Sequence, residues 1–221
     1  MKAFISYSSK QIAIAQRLKD FLESIEIDSF VANYDLRAAS SWKDAIVENL
    51  MDCELFIPLL SKFFRESDWC SQEMGIAFVQ DKKFIPVSLD DTKPYGFLNH
   101  IQTGFTIYDV TPELVVCEGL MELFKNTQGF IGLLKRPLGF RLSEAIFERM
   151  QPYFSKFNNV EINEIIETSI SNYQIWGASK CASEYIPKLL ASRKSDIDSM
   201  LFKKIMYQIE TGKRYPNGNA Q

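Results

Sequence analysis

Ser67-Asp68-Trp69-Cys70-Ser71-Gln72-Glu73-Met74 lies between two apolar runs of this 221-residue chain, residues 55–60 before it and residues 75–79 after it. Serine and aspartate are preferred N-caps, so a helix is predicted to begin at the first or second residue of this segment. On that helix Trp69 and Glu73 are four residues apart and share one face. The preceding apolar run predicts a strand, and open α/β sheets bind ligands outside the carboxyl ends of their strands. The segment therefore predicts a carboxylate beside an aromatic ring at a ligand-binding edge.

Strand-like and helix-like segments alternate over the first 125 residues. Short apolar segments predict strands at 3–7, 29–32, 55–60, 84–89 and 104–108, and amphipathic stripes predict helices at 11–25, 42–51 and 111–124 besides the one that begins at 67 or 68. The third strand is continuously apolar, which is typical of a strand covered on both faces, whereas Pro86 weakens the fourth. This alternation predicts an α/β fold with a parallel sheet wrapped by helices on both faces.

The remainder of the chain carries helical patterns only. Turn-rich residues 126–140 predict a linker, and helices are expected at 143–157, 160–176, 179–191 and 195–209, with Ser143 and Ser195-Asp196 as caps. Residues 211–221 are polar and are expected to fray. We therefore divide the chain into an α/β domain at 1–125, a linker at 126–140 and a small all-α region at 141–221.

Composition excludes several classes of protein. A net charge of −3 gives no electrostatic footprint for duplex nucleic acid. No apolar run approaches membrane-spanning length, and the first residues do not resemble a signal peptide. The four cysteines are scattered without a CxxC pair, which favours a cytoplasmic protein with free thiols. The single histidine, His100, leaves almost nothing from which to build a histidine-based zinc site or a Ser-His-Asp triad, so no metal is expected.

Four blocks of sequence, in their order and spacing, resemble a TIR (Toll/interleukin-1 receptor) domain over roughly the first 125 residues. They are Phe4-Ile5-Ser6-Tyr7-Ser8, the loop with Asp35-Leu36-Arg37, Leu59-Leu60-Ser61, and the segment from Ser67 to Glu73. No single block is specific, but the set is. The sequence is similar to bacterial TIR proteins of anti-phage defence systems, and residues 141–221 match no family. The resemblance implies a flavodoxin-like five-stranded parallel sheet flanked by helices.

The resemblance also implies one of two functions. Some TIR domains cleave NAD⁺ at the nicotinamide–ribose bond, and others are scaffolds that only assemble with further TIR domains. In the enzymatic kind a glutamate of the third helix is catalytic, and it falls on Glu73; Trp69 and Glu73 form the WxxxE pattern of many such enzymes. We therefore expect an NAD⁺ glycohydrolase or cyclase that releases nicotinamide and ADP-ribose or a cyclic ADP-ribose signal, in anti-phage immunity.

One carboxylate suffices for this chemistry. An O-glycosidase uses two carboxyl groups, one of which protonates a poor leaving group. Nicotinamide in NAD⁺ is already a cationic pyridinium and leaves as a neutral base. The enzyme chiefly needs an anionic group near the ribose, to hold its hydroxyls and stabilise oxocarbenium-like charge. Glu73 is expected at a helix N-terminus, which would keep it ionised. No GxGxxG motif is present, so NAD⁺ is expected as a substrate and not as a bound cofactor.

Each further candidate has a structural interpretation beside the substrate-binding one. Trp69 walls the pocket or belongs to the core, and Lys10 and Arg37 meet the diphosphate or are solvated loop charges. Ser61 contacts the ribose or caps a turn, and Trp42 lines the site or opens the second helix as a packing residue. The full set of candidate substrate-binding residues is Ser6, Tyr7, Ser8, Lys10, Arg37, Trp42, Ser61 and Trp69. Ser6 and Tyr7 are expected at the end of the first strand, supporting the site.

Two other functions remain open from the sequence. A non-catalytic TIR adaptor would keep the fold and tolerate loss of Glu73, and a nucleoside deoxyribosyltransferase-like enzyme would cleave deoxynucleosides with a glutamate on a similar sheet. A flavodoxin-like receiver is disfavoured, because Ser6-Tyr7-Ser8 replaces the paired acids expected after its first strand. The expected partners are NAD⁺, further TIR domains around residues 35–41, and a separate effector or sensor protein, with no nucleic acid and no membrane.

Overall fold

A computed structural model describes residues 1–32, 41–99, 104–105 and 110–216. The chain forms two compact units, Met1–Gly129 and Phe130–Gln221. Gln128–Leu134 is helical (α6), and its apolar side chains are buried, although the sequence places these residues in a linker. Among the described residues no helix combines the length and the apolar character needed to cross a membrane.

The first unit is built on a parallel sheet. Its strands are β1 (Lys2–Ser6), β2 (Asp28–Val31), β3 (Leu55–Leu60), β4 (Lys83–Phe84), β5 (Val87–Ser88) and β6 (Gly104–Phe105). The order across the sheet is β2-β1-β3-β5-β6, with β4 paired to the start of β3. All pairings are parallel, so with β4 and β5 taken as one strand this is the flavodoxin-like order. The order reverses between β1 and β3, and ligands of such sheets bind outside the carboxyl ends at that point.

The fourth predicted strand is interrupted at Pro86. Phe84 pairs with Phe56 before the interruption, and Val87 pairs with Leu59 after it. Proline has no N–H to donate to a neighbouring strand, which is the physical reason for the break. The strand predicted at 104–108 is described only as Gly104–Phe105, and residues 106–108 lie outside the described residues.

Within the described residues of the first unit, α-helices flank the sheet or follow its strands. They are α1 (Ile12–Ser24), α2 (Ser41–Asp52), α3 (Lys62–Arg65), α4 (Asp68–Val79) and α5 (Pro112–Phe124), with a 3-10 turn at Ser9–Gln11 before α1. α1 packs against α5, and α2 packs against α4. The sequence predicts four of these helices closely. It misses α3, because one turn is too short to show helical periodicity.

The second unit is helical, as predicted. It contains α7 (Phe140–Met150), α8 (Asn159–Ser171), α9 (Tyr173–Trp176), a π-helical turn at Cys181–Tyr185, α10 (Ile186–Ser192) and α11 (Ser199–Thr211). The expected caps at Ser143 and Ser195-Asp196 are wrong. Ser143 is buried inside α7 and donates its hydroxyl to the carbonyl of Gly139, and α11 is capped by Asp198. Of the predicted frayed tail, residues 217–221 lie outside the described residues.

Candidate active site

Helix α4 presents Glu73 to the carboxyl edge of the sheet. The helix begins after Ser67, whose hydroxyl accepts a hydrogen bond from the backbone N–H of Cys70 at 3.4 Å. Glu73 is the sixth residue of α4 and lies beyond the first turn, where the helix dipole acts most strongly. The expectation that a helix N-terminus keeps Glu73 ionised therefore fails on geometry. Its surroundings are set by the strands that α4 covers, β1 and β3.

Glu73 is held by Ser6, the last residue of β1. The Ser6 hydroxyl donates to Oε2 of Glu73 at 2.6 Å, across a sequence separation of 67 residues. Glu73 is 1% exposed and Ser6 is fully buried. Since Ser6 pairs with Pro58 of β3, this hydrogen bond lies where the strand order of the sheet reverses. The fold thus places a buried carboxylate at the position predicted from the sequence.

Cys70 lies one turn before Glu73 and is also fully buried. Burial raises the pKa of its thiol to about 12; the hydrogen bond with Ser67 opposes this rise, and the nearby charge of Glu73 adds to it. The thiol also lies within hydrogen-bonding reach of the Ser6 side chain. Cys70 is therefore a neutral group beside Ser6 and Glu73. Cys70 is not among the site residues predicted from the sequence, although its position three residues before Glu73 implies a shared helix face.

Tyr7 and Ser8 belong to the turn out of β1. The Tyr7 hydroxyl donates to the carbonyl of Ala32, at the end of β2, and the Tyr7 side chain is 1% exposed. The backbone N–H of Ser8 donates to Oε1 of Gln11 at 3.3 Å, which closes the 3-10 turn. Both contacts fix the backbone at the end of β1, next to Ser6.

Ser61 ends β3 and caps α3. Its hydroxyl accepts a hydrogen bond from the backbone N–H of Phe64 at 3.1 Å, and the residue is 2% exposed. The sequence leaves two interpretations of Ser61 open, a contact with the ribose or a cap, and the structure shows the cap. On the other side of this turn the backbone N–H of Lys62 donates to Asp90 at 3.0 Å, which ties the ends of β3 and β5 together.

The ammonium groups of two lysines lie near one aromatic ring at this edge. The ammonium of Lys10, after β1, lies 4.2 Å from the ring centroid of Phe63, after β3, and the ammonium of Lys62 lies 5.0 Å from the same centroid. On α4 the half-buried Trp69 has the ammonium of Lys43 at 6.0 Å from its ring. Arg37 lies outside the described residues, and for Trp42 only the helical backbone is described. The structure therefore brings together Ser6, Glu73 and, unforeseen, Cys70.

A family model described as a TIR domain matches residues 3–112 of the sequence. The parallel sheet and the carboxylate at its edge agree with this match. The N-terminal half of this chain is a TIR domain. A solved structure of the TIR domain of the Toll-related receptor TRR-2, from the lower metazoan Hydra magnipapillata, is 20% identical and covers 47% of this chain and 82% of that one, with a TM-score of 0.41. No curated protein matches the chain.

The family match confirms the resemblance that the four sequence blocks carry. It ends at residue 112, the first residue of α5, so it does not extend to the second unit of the chain. Within the described part of the chain no cluster of three or more His, Cys, Asp or Glu residues is arranged to hold a metal ion. Among the described side chains of the TIR domain, this edge offers one buried carboxylate, Glu73, with neutral and cationic neighbours, besides the exposed carboxylate of Asp90.

Proposed function

We propose that this TIR domain cleaves the nicotinamide–ribose bond of NAD⁺, with Glu73 as the essential carboxylate. The observation that carries the proposal is the buried hydrogen bond of 2.6 Å between Ser6 and Glu73, at the carboxyl edge where the strand order reverses. A carboxylate in water-poor surroundings stabilises a developing positive charge more strongly than one in bulk water. Family membership supports the same reaction, since some TIR domains have it.

In the proposed reaction the bond between ribose C1′ and the pyridinium nitrogen breaks, and its electron pair leaves with neutral nicotinamide. Glu73 stabilises the oxocarbenium-like charge at C1′ and holds the ribose hydroxyls. Water then captures C1′ and loses a proton to give ADP-ribose, or an N–H or O–H group of the substrate itself captures C1′ and loses its proton to give a cyclic ADP-ribose. No described residue selects between these products.

The cations at the edge support a site for the diphosphate of NAD⁺. Lys10 and Lys62 approach the same ring, and within the described part of the chain neither makes an ion pair. Both ammonium groups are positively charged and lie at the carboxyl edge, so they would attract the diphosphate of NAD⁺. Trp69 is proposed as a wall of the pocket, with Arg37 of the loop after β2 and Trp42 at the start of α2 as further contacts.

Glu73 is 1% exposed, so the site must open before the nicotinamide ribose reaches it. We propose that association with a second TIR domain, through the loop at 35–41, opens and completes the site. In this account activity depends on protein concentration. The free, buried thiols suit a reducing compartment such as the cytoplasm. The proposed role is in anti-phage immunity, with the helical unit binding a separate effector or sensor.

A non-catalytic adaptor is the second candidate function, and the burial of Glu73 favours it. A buried glutamate with a serine partner is also a plausible structural link between α4 and β1. As an adaptor, the protein would assemble through its TIR domain and leave NAD⁺ intact.

Turnover of NAD⁺ by the full chain tests the proposal. Wild type and Glu73→Gln are incubated with NAD⁺ at high protein concentration, with and without lysate of phage-infected cells, and the products are separated by chromatography. Release of nicotinamide by wild type and its loss in the variant support the enzyme and identify the product. Equal NAD⁺ levels with and without wild type, under both conditions, would contradict the proposed enzyme and favour the adaptor.

A further inference from the structure

We propose that Ser6 is a positioning residue, whose hydroxyl fixes the carboxylate plane of Glu73 so that it faces the charge developing at C1′ of the nicotinamide ribose; this inference rests on the function proposed above. The last side-chain torsion of a glutamate is broad and has no sharp staggered minimum. Without a partner, the carboxylate of Glu73 would therefore sample a range of orientations. The hydrogen bond from Ser6 to one carboxylate oxygen restricts this freedom.

The length of the bond indicates a strong interaction. Hydrogen bonds from a hydroxyl to an oxygen acceptor span about 2.5–3.0 Å. The Ser6 hydroxyl lies 2.6 Å from Oε2 of Glu73, at the short end of this range. Such a bond fixes the position of this carboxylate oxygen.

Ser6 is itself held rigidly. It is the last residue of β1 and pairs with Pro58 of β3, so its backbone lies within the sheet. Its neighbour Tyr7 is tied to Ala32 at the end of β2. The thiol of Cys70 lies next to the Ser6 hydroxyl and stays protonated, because burial raises its pKa to about 12. A donor on a central strand, confined on several sides, is the kind of support that preorganises a catalytic group.

Loss of the hydroxyl is expected to lower kcat and leave KM nearly unchanged. NAD⁺ binds through its adenosine and diphosphate as well as its ribose, and Ser6 is fully buried. Misplacement of a catalytic group by about 1 Å can cost on the order of 100-fold in rate. We therefore expect Ser6→Ala to lower kcat by about 100-fold. Ser6→Cys, which keeps a weak donor of similar shape, is expected to lower it by about 10-fold.

Ser29 offers a matched control. It is also a strand serine, on β2, and it is 4% exposed. Its hydroxyl is buried without a hydrogen-bond partner in the described part of the chain. Ser29→Ala removes the same atom from a buried strand of the same sheet, but away from Glu73. It is expected to leave both kcat and KM within about twofold of wild type.

The experiment measures kcat and KM for NAD⁺ and the melting temperature for the full-length wild type, Ser6→Ala, Ser6→Cys and Ser29→Ala. A graded loss of kcat at Ser6 alone, in variants that remain folded at the assay temperature and keep KM, supports the proposal. If Ser6→Ala does not fold, a loss of kcat in folded Ser6→Cys supports it. An active wild type whose Ser6 variants keep or exceed its kcat overturns the positioning role alone. An inactive wild type overturns the proposed function and this role together.

Discussion

The first unit of the chain buries two glutamates in two regions, and their partners differ. Glu73, on α4, takes a hydrogen bond from the neutral hydroxyl of Ser6 at the carboxyl edge of the sheet. Glu113, in the first turn of α5, is 4% exposed and forms an ion pair of 2.7 Å with Arg17 of α1. Each has a buried cysteine on its own helix within one turn, Cys70 and Cys117. In each region, therefore, one helix carries both a buried glutamate and a buried cysteine.

The difference lies in what holds each carboxylate. Glu113 benefits from the helix dipole and from a cation whose side chain is 54% exposed, an arrangement that joins two helices. Glu73 is beyond the reach of its helix dipole and lies at the edge where sheets of this order bind ligands. We infer that burial alone does not mark a functional carboxylate. Its place in the topology does.

Replacement of each glutamate by glutamine should separate the two roles most strongly. Glu73→Gln removes the charge needed at C1′ and is expected to lower NAD⁺ turnover by at least about 1,000-fold, a size typical for loss of electrostatic stabilisation. Glu113→Gln is expected to leave turnover within about threefold. Nicotinamide release measures turnover in both variants. Equal losses in the two would contradict a catalytic role that belongs to Glu73 and not to Glu113.

Removal of the cation beside Glu113 should cost stability and spare activity. Arg17→Met leaves a buried carboxylate without its ion-pair partner. Because Arg17 is half exposed and water reaches the pair, we expect a loss of about 2 kcal/mol, less than for a fully buried pair. This corresponds to roughly 4–8 °C in melting temperature. Glu23→Gln, which breaks an exposed pair with Lys19 on the same helix, is the control and should change it by under about 1 kcal/mol.

Alkaline pH should destabilise both regions through their cysteines. Burial raises the pKa of Cys70 from 9.0 to about 12 and that of Cys117 well above 9.0, and the charge of the nearby glutamate adds to each. The folded state therefore keeps protons that the unfolded state loses, so stability is complete below pH 9 and falls as pH rises above it. For Cys70 the loss at pH 10 is about 1.4 kcal/mol.

Urea unfolding at pH 8 and pH 10, under reducing conditions, measures this effect in wild type and in Cys70→Ala. The substitution leaves a cavity at both pH values, but it removes the contribution of one thiol to the difference between them. A pH dependence that is the same in the two proteins would show that Cys70 does not keep its proton on folding.

The smallest effect is expected at the N-caps of the two helices. The hydroxyl of Ser67 accepts from the N–H of Cys70, and that of Thr111 accepts from the N–H of Leu114, each at 3.4 Å. Substitution of either residue by alanine should cost about 1 kcal/mol of unfolding free energy. Thermal or urea unfolding measures both. Only Ser67→Ala should also reduce turnover, by a few-fold, because α4 carries Glu73.

Local patterns in the sequence predict much of this fold. The apolar run of β3 and the cap at Ser67 give the strand and the start of α4, and Pro86 marks the weak fourth strand. Contacts between distant segments are not visible in such patterns. The hydrogen bond between Ser6 and Glu73 spans 67 residues, and it depends on the order in which the strands assemble. The sequence likewise predicts Ser143 as a helix cap, but α7 begins earlier, at Phe140.

The site is predictable in its main residue and not in its supports. Family resemblance and helix position both indicate Glu73. The use of Tyr7 and Ser61 as structural hydrogen-bond partners follows from where β1 and β3 end, which the sequence gives only to within a residue or two. Cys70 enters the site because α4 turns the same face to β1 at positions 70 and 73.

A crystal structure of Glu73→Gln in complex with NAD⁺ would show whether position 73 faces the bond that is cleaved, since the variant should bind the substrate without consuming it. We expect ribose C1′ to lie within roughly 4 Å of the side-chain amide at position 73, close to the distance of near-attack complexes, with the diphosphate beside Lys10 and Lys62. NAD⁺ bound away from the carboxyl edge, or position 73 still buried against Ser6 with the dinucleotide bound elsewhere, would contradict this expectation.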